Sequence, residues 1–400
     1  MIRMVLLLPA LVAMAVGTSA SAPVCTTAMD CHLGGICTPA GRCKCDSTWL
    51  GPTCEQLNVA QGSIAYAPPN RSSWGGGPPV LSPIDNKYHL YVSEMGGHCG
   101  LNVWQSMSTV VDTVSSTASA AGPYTRVGVV IPREAHNAYY TYDPASKTHL
   151  IYHIGGGDNG DQPPLWTNCT NGTTPGSGST AGLGLAAPDD PPLWAHVQYV
   201  HHAASLAGPW LRETFPNPPA GGNDSDIGWG NDNPAPYIYP NGTVLMLTRR
   251  YQPPKLGVEP HDTIWLVTAP SWKGPYRFVS DTPVLMDRAT GQPTRENMED
   301  PCLWRNARGH FHALFHFGHR HAWSADGLHW SVGNTSVWDT TVGDTLQKDA
   351  ERPRIWIDPA TGSPGLLFTA CRDNTDKKGS GPGDLDRSFT VVQPIGLPQS

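Results

Sequence analysis

Hydrophobic residues recur along this chain in short alternating runs that come in pairs. Tyr237-Ile238-Tyr239 turns at Pro240-Asn241-Gly242 and returns as Thr243 to Thr248. Ile355-Trp356-Ile357 turns through Asp358 to Pro364 and returns as Gly365 to Ala370. Cys302-Leu303-Trp304 turns at Arg308-Gly309 and returns as His310 to His316. Runs of this length and period, separated by glycine, proline and asparagine, predict antiparallel β-hairpins. A second signal follows them: Ser-x-x-Gly-Pro-aromatic at Ser119 to Tyr124, Ser205 to Trp210 and Ser271 to Tyr276, with a looser copy from Ser324 to Trp330. Each copy follows an alternating strand such as Thr263 to Thr268. Hairpin, third strand, Gly-Pro turn and fourth strand describe a four-stranded antiparallel sheet.

Hairpin starts near Gly77-Pro78, His136-Asn137, Asn233-Pro234, Asp300-Pro301 and Arg352-Pro353 give five such units. Proline is tolerated at a strand entrance and not in its middle. The wide gap before the third unit is explained by an inserted loop over 155–192, rich in glycine, proline and small polar residues. The last unit is one strand short after Ser388 to Ile395, and Ser63-Ile64-Ala65-Tyr66 could supply it. The predicted fold class is therefore all-β, a five-bladed β-propeller closed by its own N-terminal strand. A β-sandwich would not repeat in units of four strands.

Composition agrees. With 43 glycines, 39 prolines and only 15% charged residues, the chain reads as turn-rich β structure. A net charge of −7 gives no support to nucleic-acid binding. At the N-terminus Arg3, the apolar run Met4 to Val16 and the small residues Gly17 to Ala22 predict a signal peptide over 1–22. No other segment approaches the ~18 apolar residues of a membrane span. Secretion is the expectation, and Asn-x-Ser/Thr acceptors at Asn70, Asn168, Asn171, Asn223, Asn241 and Asn334 agree with it.

Of ten cysteines, six crowd together at Cys25, Cys31, Cys37, Cys43, Cys45 and Cys54, while Cys99, Cys169, Cys302 and Cys371 are scattered. An even count in a secreted chain favours disulfides. The first group, closing with Cys43-Lys44-Cys45, Gly51 and Cys54, resembles an epidermal-growth-factor-like (EGF-like) module, placed at 23–57. That resemblance implies the pairs Cys25–Cys37, Cys31–Cys43 and Cys45–Cys54. Calcium-binding members carry acids before the first cysteine; Ala22-Pro23-Val24 stands here, so no metal is expected. Such a module serves as a rigid spacer or engages a cell-surface or matrix protein. Among the scattered cysteines, Cys99–Cys169 and Cys302–Cys371 are the expected pairs, the second joining neighbouring units.

Residues 58–400 resemble the five-bladed propeller glycoside hydrolases of the arabinanase and β-xylosidase group, glycoside hydrolase family 43. The resemblance implies three acids on innermost strands: an Asp base on blade one, an Asp on blade three, and a Glu general acid in a Glu-Gly-Pro motif on blade four. Glu299-Asp300-Pro301 matches the last, making Glu299 the expected acid. Asp232 in Asn231-Asp232-Asn233-Pro234 is one residue out of place and is the leading base, with Glu351 behind it. Blade one departs from the pattern: Trp74-Gly75-Gly76-Gly77-Pro78 offers no carboxylate, and Asp85 belongs to a later turn. Glycoside hydrolysis needs one protonated and one ionised carboxyl across the bond, and clustering raises one of them. Asp300 and Glu134 also lie near strand entrances, and His136, Arg352 and Arg354 are the expected substrate or carboxylate partners. The bland alternative makes these residues strand caps or arginine-paired props around the channel.

Trp74, Trp229 and Trp304 lie beside the candidate acids, where indole faces could stack on sugar rings, although most propeller tryptophans pack between blades. The run His310, His312, His316, His319, His321 suits inter-blade packing better than zinc. No Gly-x-Ser-x-Gly, phosphate loop, His-Glu-x-x-His or dinucleotide fingerprint occurs, and no cofactor is expected. Two functions remain open: a glycosidase acting on extracellular or wall polysaccharide, and a non-catalytic carbohydrate-binding or adhesion protein. The sugar, its linkage and the stereochemical course are not legible.

Overall fold

A computed structural model describes residues 25–69, 72–96, 99–101, 104–132, 134–155, 198–214, 231–252, 261–347, 349–372 and 388–396. The expected signal peptide, nearly all of the insertion, and Asn70, Asn168, Cys169, Asn171, Asn223 and Trp229 lie outside them. Five sheets follow one another in sequence from the axis, antiparallel except that Leu285–Asp287 adds to the edge of the fourth in parallel with Trp330–Val332. Their inner strands are β1 (Ser73–Gly76), β2 (His136–Asp143), β3 (Asn231–Ile238), β4 (Cys302–Arg305) and β5 (Ala350–Asp358).

The repeated turn has one geometry. Gly122, Gly208 and Gly274 each donate a backbone N–H to the serine three residues earlier, at φ of 82°, 81° and 84°. Only glycine enters that region without cost, which explains the Ser-x-x-Gly spacing. Ser63–Tyr66 completes the fifth blade by pairing with Ser388–Pro394. Tyr66 then donates its hydroxyl to the fully buried Glu94 of blade one at 2.7 Å, and Arg126 meets the same carboxylate at 3.1 Å.

The expected unit starts at Asn233-Pro234 and Arg352-Pro353 fall inside β3 and β5 rather than at their entrances. Both prolines sit in register shifts, between Asp232 and Ala235 and between Glu351 and Arg354. A bulge leaves a residue outside the ladder, so a missing N–H costs no hydrogen bond there.

The EGF-like module carries its disulfides Cys25–Cys37, Cys31–Cys43 and Cys45–Cys54. It does not hang free as a spacer. Cys25, Trp49 and Leu57 share one buried cluster with Trp304, Val337, Trp338 and Ile355 of the propeller. Arg308 grips Asp46 through two nitrogens at 2.7 and 2.6 Å, and Arg288 reaches Asp30 at 2.6 Å.

Cys302 and Cys371 do not pair, contrary to expectation; both are buried free thiols. Cys302 opens β4 and accepts the Ile355 N–H, whereas Cys371 packs with Ala350, Phe389 and Val391 in a separate cluster. Adjacency of two blades does not align two Cβ vectors, which a disulfide requires. Cys99 is disulfide-bonded, and its expected partner Cys169 lies outside the described residues. Asn241 and Asn334 are both exposed.

Candidate functional site

The inner strands bring one backbone irregularity to the axis five times. Gly75, Asn137, Asn233, Asp300 and Arg352 have φ of 70°, 57°, 53°, 51° and 54°. Such left-handed residues are uncommon outside glycine, with asparagine and aspartate best tolerated. At Gly75 a Cβ would lie 3.2 Å from that of Arg352. The residue before each is Trp74, His136, Asp232, Glu299 or Glu351. Asp232 is thus in step with the two glutamates and not displaced by one. The prolines give the same register, since Asp232, Glu299 and Glu351 each stand two residues before one.

Beneath this ring the left-handed side chains bond to one another. Asn137 donates to Asn233 at 2.7 Å and to Asp300 at 3.0 Å, and accepts from Arg354 at 2.7 Å. Arg354 is buried, lies 4.6 Å over the Tyr139 ring and also donates to the Pro301 and Pro353 carbonyls. It is an axial strut, not the substrate contact expected of it. Arg352, also buried, holds its Nε 3.9 Å from Asp300.

Above the ring, His316 joins the acids. Its Nδ1 is 3.7 Å from both Glu299 and Asp300, and its Nε2 is 3.6 Å from Glu351. Two carboxyls on opposite nitrogens of one imidazole can be no farther apart than about 9.5 Å, the outer bound for an acid–base pair in glycoside hydrolysis. His316 escapes the alternation of its strand, which ends at Phe315; its own backbone is helical (φ −64°, ψ −59°) and its N–H donates to the Glu299 carbonyl at 2.9 Å.

The two glutamates differ. Glu299 is gripped by Arg249 at 2.9 Å, with Asn233 at 3.4 Å, and Arg249 also holds Asp262 at 3.0 Å. Glu351 accepts the Trp74 indole N–H at 3.0 Å. Burial raises the Glu351 carboxyl above its ordinary value; Asp300 and Glu299 add to this, while His316 and Arg352 oppose it. Burial alone would lower the His316 imidazole, but Glu299, Glu351 and Asp300 together raise it. Glu299, Asp300 and His316 offer ligand atoms within 4.8 Å of one another, so this trio could also hold a small cation.

Several expected contacts are not made. Trp74 is 1% exposed and presents no face to a sugar; its role is the hydrogen bond to Glu351. Trp304 is buried against His312 in the seam with the EGF-like module. His136 is buried below Trp104, its Nδ1 2.6 Å from the Ser108 hydroxyl, and burial pushes its imidazole well down, helped by Arg352. Asp232 holds the expected backbone position opposite Arg249. Arg249 and His316 were missed as site residues. Arg249 lies mid-strand with no local signal, and His316 was hidden in a histidine run whose other members face elsewhere.

A family model described as an EGF-like domain matches residues 25–54. No curated protein matches the sequence. Among solved structures, the chain is similar to Zg3597, a family 117 glycoside hydrolase of Zobellia galactanivorans, at TM-score 0.54 and 13% identity over 88% of this chain and 92% of that one. It is also similar to a protein of unknown function from Dyadobacter fermentans, at 0.50 and 12% over 84% and 98%. A structure described as a glycoside hydrolase gives 0.50 and 8% over 86% and 93%. These likenesses show the propeller fold.

Proposed function

We propose that this protein is an extracellular glycoside hydrolase whose chemistry is centred on Glu351 and Glu299. The observation that carries the reading is the pair of glutamates at equivalent positions of blades four and five, set on opposite nitrogens of His316. Glu351, buried and raised, suits the proton donor. Glu299, fixed by Arg249, suits the ionised partner that directs water. This exchanges the roles expected from motif order, because burial and arginine contact decide which carboxyl keeps its proton. Asp232, at the same position one blade earlier, is the further candidate base. Carbohydrate is the proposed ligand, and the exposed Asn241 and Asn334 suit a secreted glycoprotein.

Two features favour the second reading, a carbohydrate-binding protein without turnover: Glu299 is occupied by arginine, and Trp74 stands where a blade-one base would be. A screen of purified protein on aryl glycosides and plant or algal polysaccharides, beside Glu351→Gln and Glu299→Gln, separates them. Turnover lost by about a thousandfold or more in Glu351→Gln supports the hydrolase. Saccharide binding with no turnover on any substrate replaces it with the binding protein.

A further inference from the structure

The seam between the EGF-like module and blade four is built from imidazole and indole rings. His32 of the module stacks on Trp323 at 4.1 Å, and Trp49 of the module lies 4.3 Å from His321 and 5.6 Å from His312. Trp304 stacks on His312 from the propeller side at 5.3 Å. The hydrogen bonds fix the protonation of these rings. Asn306 accepts the Arg308 and His310 N–H groups at 3.0 Å each, which leaves its amide nitrogen to donate to His312 Nε2 at 3.0 Å. His312 must therefore carry its proton on Nδ1 and donate to His321 Nε2, 3.0 Å away. A second proton on His312 would oppose the Asn306 N–H. One on His321 Nε2 would oppose the His312 N–H. Both rings are 1% exposed. The docked arrangement requires them neutral.

We infer that this seam is a proton-gated latch: it holds the module on blade four at neutral pH and releases it under mild acid. The charged surroundings favour that direction at His312 and His321, whereas at His32 burial and Arg288 favour it and Glu55 and Asp30 oppose it. His312 faces His310 and Arg308, and His321 faces His312 and His32. His32 faces Glu55, Arg288 and Asp30. Arg305 and Asp46 act on the neighbouring His310, and Asp46 is already engaged by Arg308. Indole faces attract a cation, yet a proton added to His312 or His321 also breaks a ring-to-amide or ring-to-ring hydrogen bond. Burial lowers His32 to about 4 and His312 to about 3, and His321 falls well below its ordinary value. A histidine lowered by docking ionises first in the released state. Docking therefore weakens as pH falls below 6.5, by up to about tenfold per pH unit for each of three rings.

Hydrogen exchange of the full-length protein at pH 7.5 and 5.0, corrected for intrinsic rates, tests the latch. The readout is the Leu57 amide, which bonds to the Val337 carbonyl across the seam, against blade-two amides as reference. A fall in seam protection of a hundredfold or more, with blade two unchanged, is expected. His312→Gln combined with His321→Gln should flatten the dependence to that of one ring. Unchanged seam protection at pH 5.0, or a full pH dependence in the double variant, overturns the proposal. If that variant does not fold, imidazole titration of the natural protein decides. Rings titrating near 6.5 while Leu57 stays protected overturn the latch; rings that stay neutral until Leu57 opens support it.

Discussion

Trp74 of blade one donates its indole N–H to Glu351 of blade five across 3.0 Å, joining the first and last inner strands at the axis. A donor on a carboxylate favours its ionised form. Trp74→Phe should therefore raise the Glu351 carboxyl further, by up to about one pH unit for one charge-assisted hydrogen bond. The alkaline limb of the pH–rate profile should move up with it. A limb that stays in place would remove Glu351 as the proton donor.

Glu351 binds its proton more tightly in the folded protein than in the unfolded chain. Its contribution to stability is full below the ordinary glutamate range and declines as pH rises through that range to the raised value. Glu351→Gln should remove this slope and leave the protein at least as stable at neutral pH while abolishing turnover. Denaturation midpoints at pH 4 and pH 7 check the first part, and a midpoint that falls at neutral pH contradicts it.

Arg354 is held by Tyr139, Asn137 and two proline carbonyls. Arg354→Ala would leave these acceptors unpaired in the interior and should cost about 3–5 kcal/mol in urea unfolding. Arg354→Lys should recover only part of this, since an ammonium cannot reproduce the planar fork. A loss below about 1 kcal/mol would mean that water replaces the guanidinium.

Tyr66 and Glu94 test ring closure. Tyr66→Phe removes a hydroxyl from a buried carboxylate and should destabilise by about 1.5–3 kcal/mol. Exchange should rise first in the strand pairing Ser388–Pro394 with Ser63–Tyr66. Uniform loss across all blades would place the closure inside one cooperative unit.

Burial raises both free thiols, Cys371 to about 12. Neither should react with a thiol reagent in the native protein, and both should be alkylated after denaturation without reductant. Recovery of a Cys302–Cys371 cross-linked peptide would restore the bridge expected from sequence.

Five blades, the Gly-Pro turns, the closing strand at Ser63–Tyr66 and the cysteine spacing of the small module are all written locally. Alternation, glycine at positive φ and residue spacing act over a few positions, so the chain displays them without being folded. Even Glu299, Asp232 and Glu351 can be picked out as acids at strand starts. What they do there depends on groups remote in sequence: Arg249 beside Glu299, Trp74 against Glu351, His316 between them. Burial and hydrogen bonding set protonation, and both come from neighbours that only the closed ring brings together. The same holds for Cys302 and Cys371, near in topology yet turned into different packing layers, and for the histidines of blade four, which part into a partner of the axial acids and a module seam once the strand ends at Phe315.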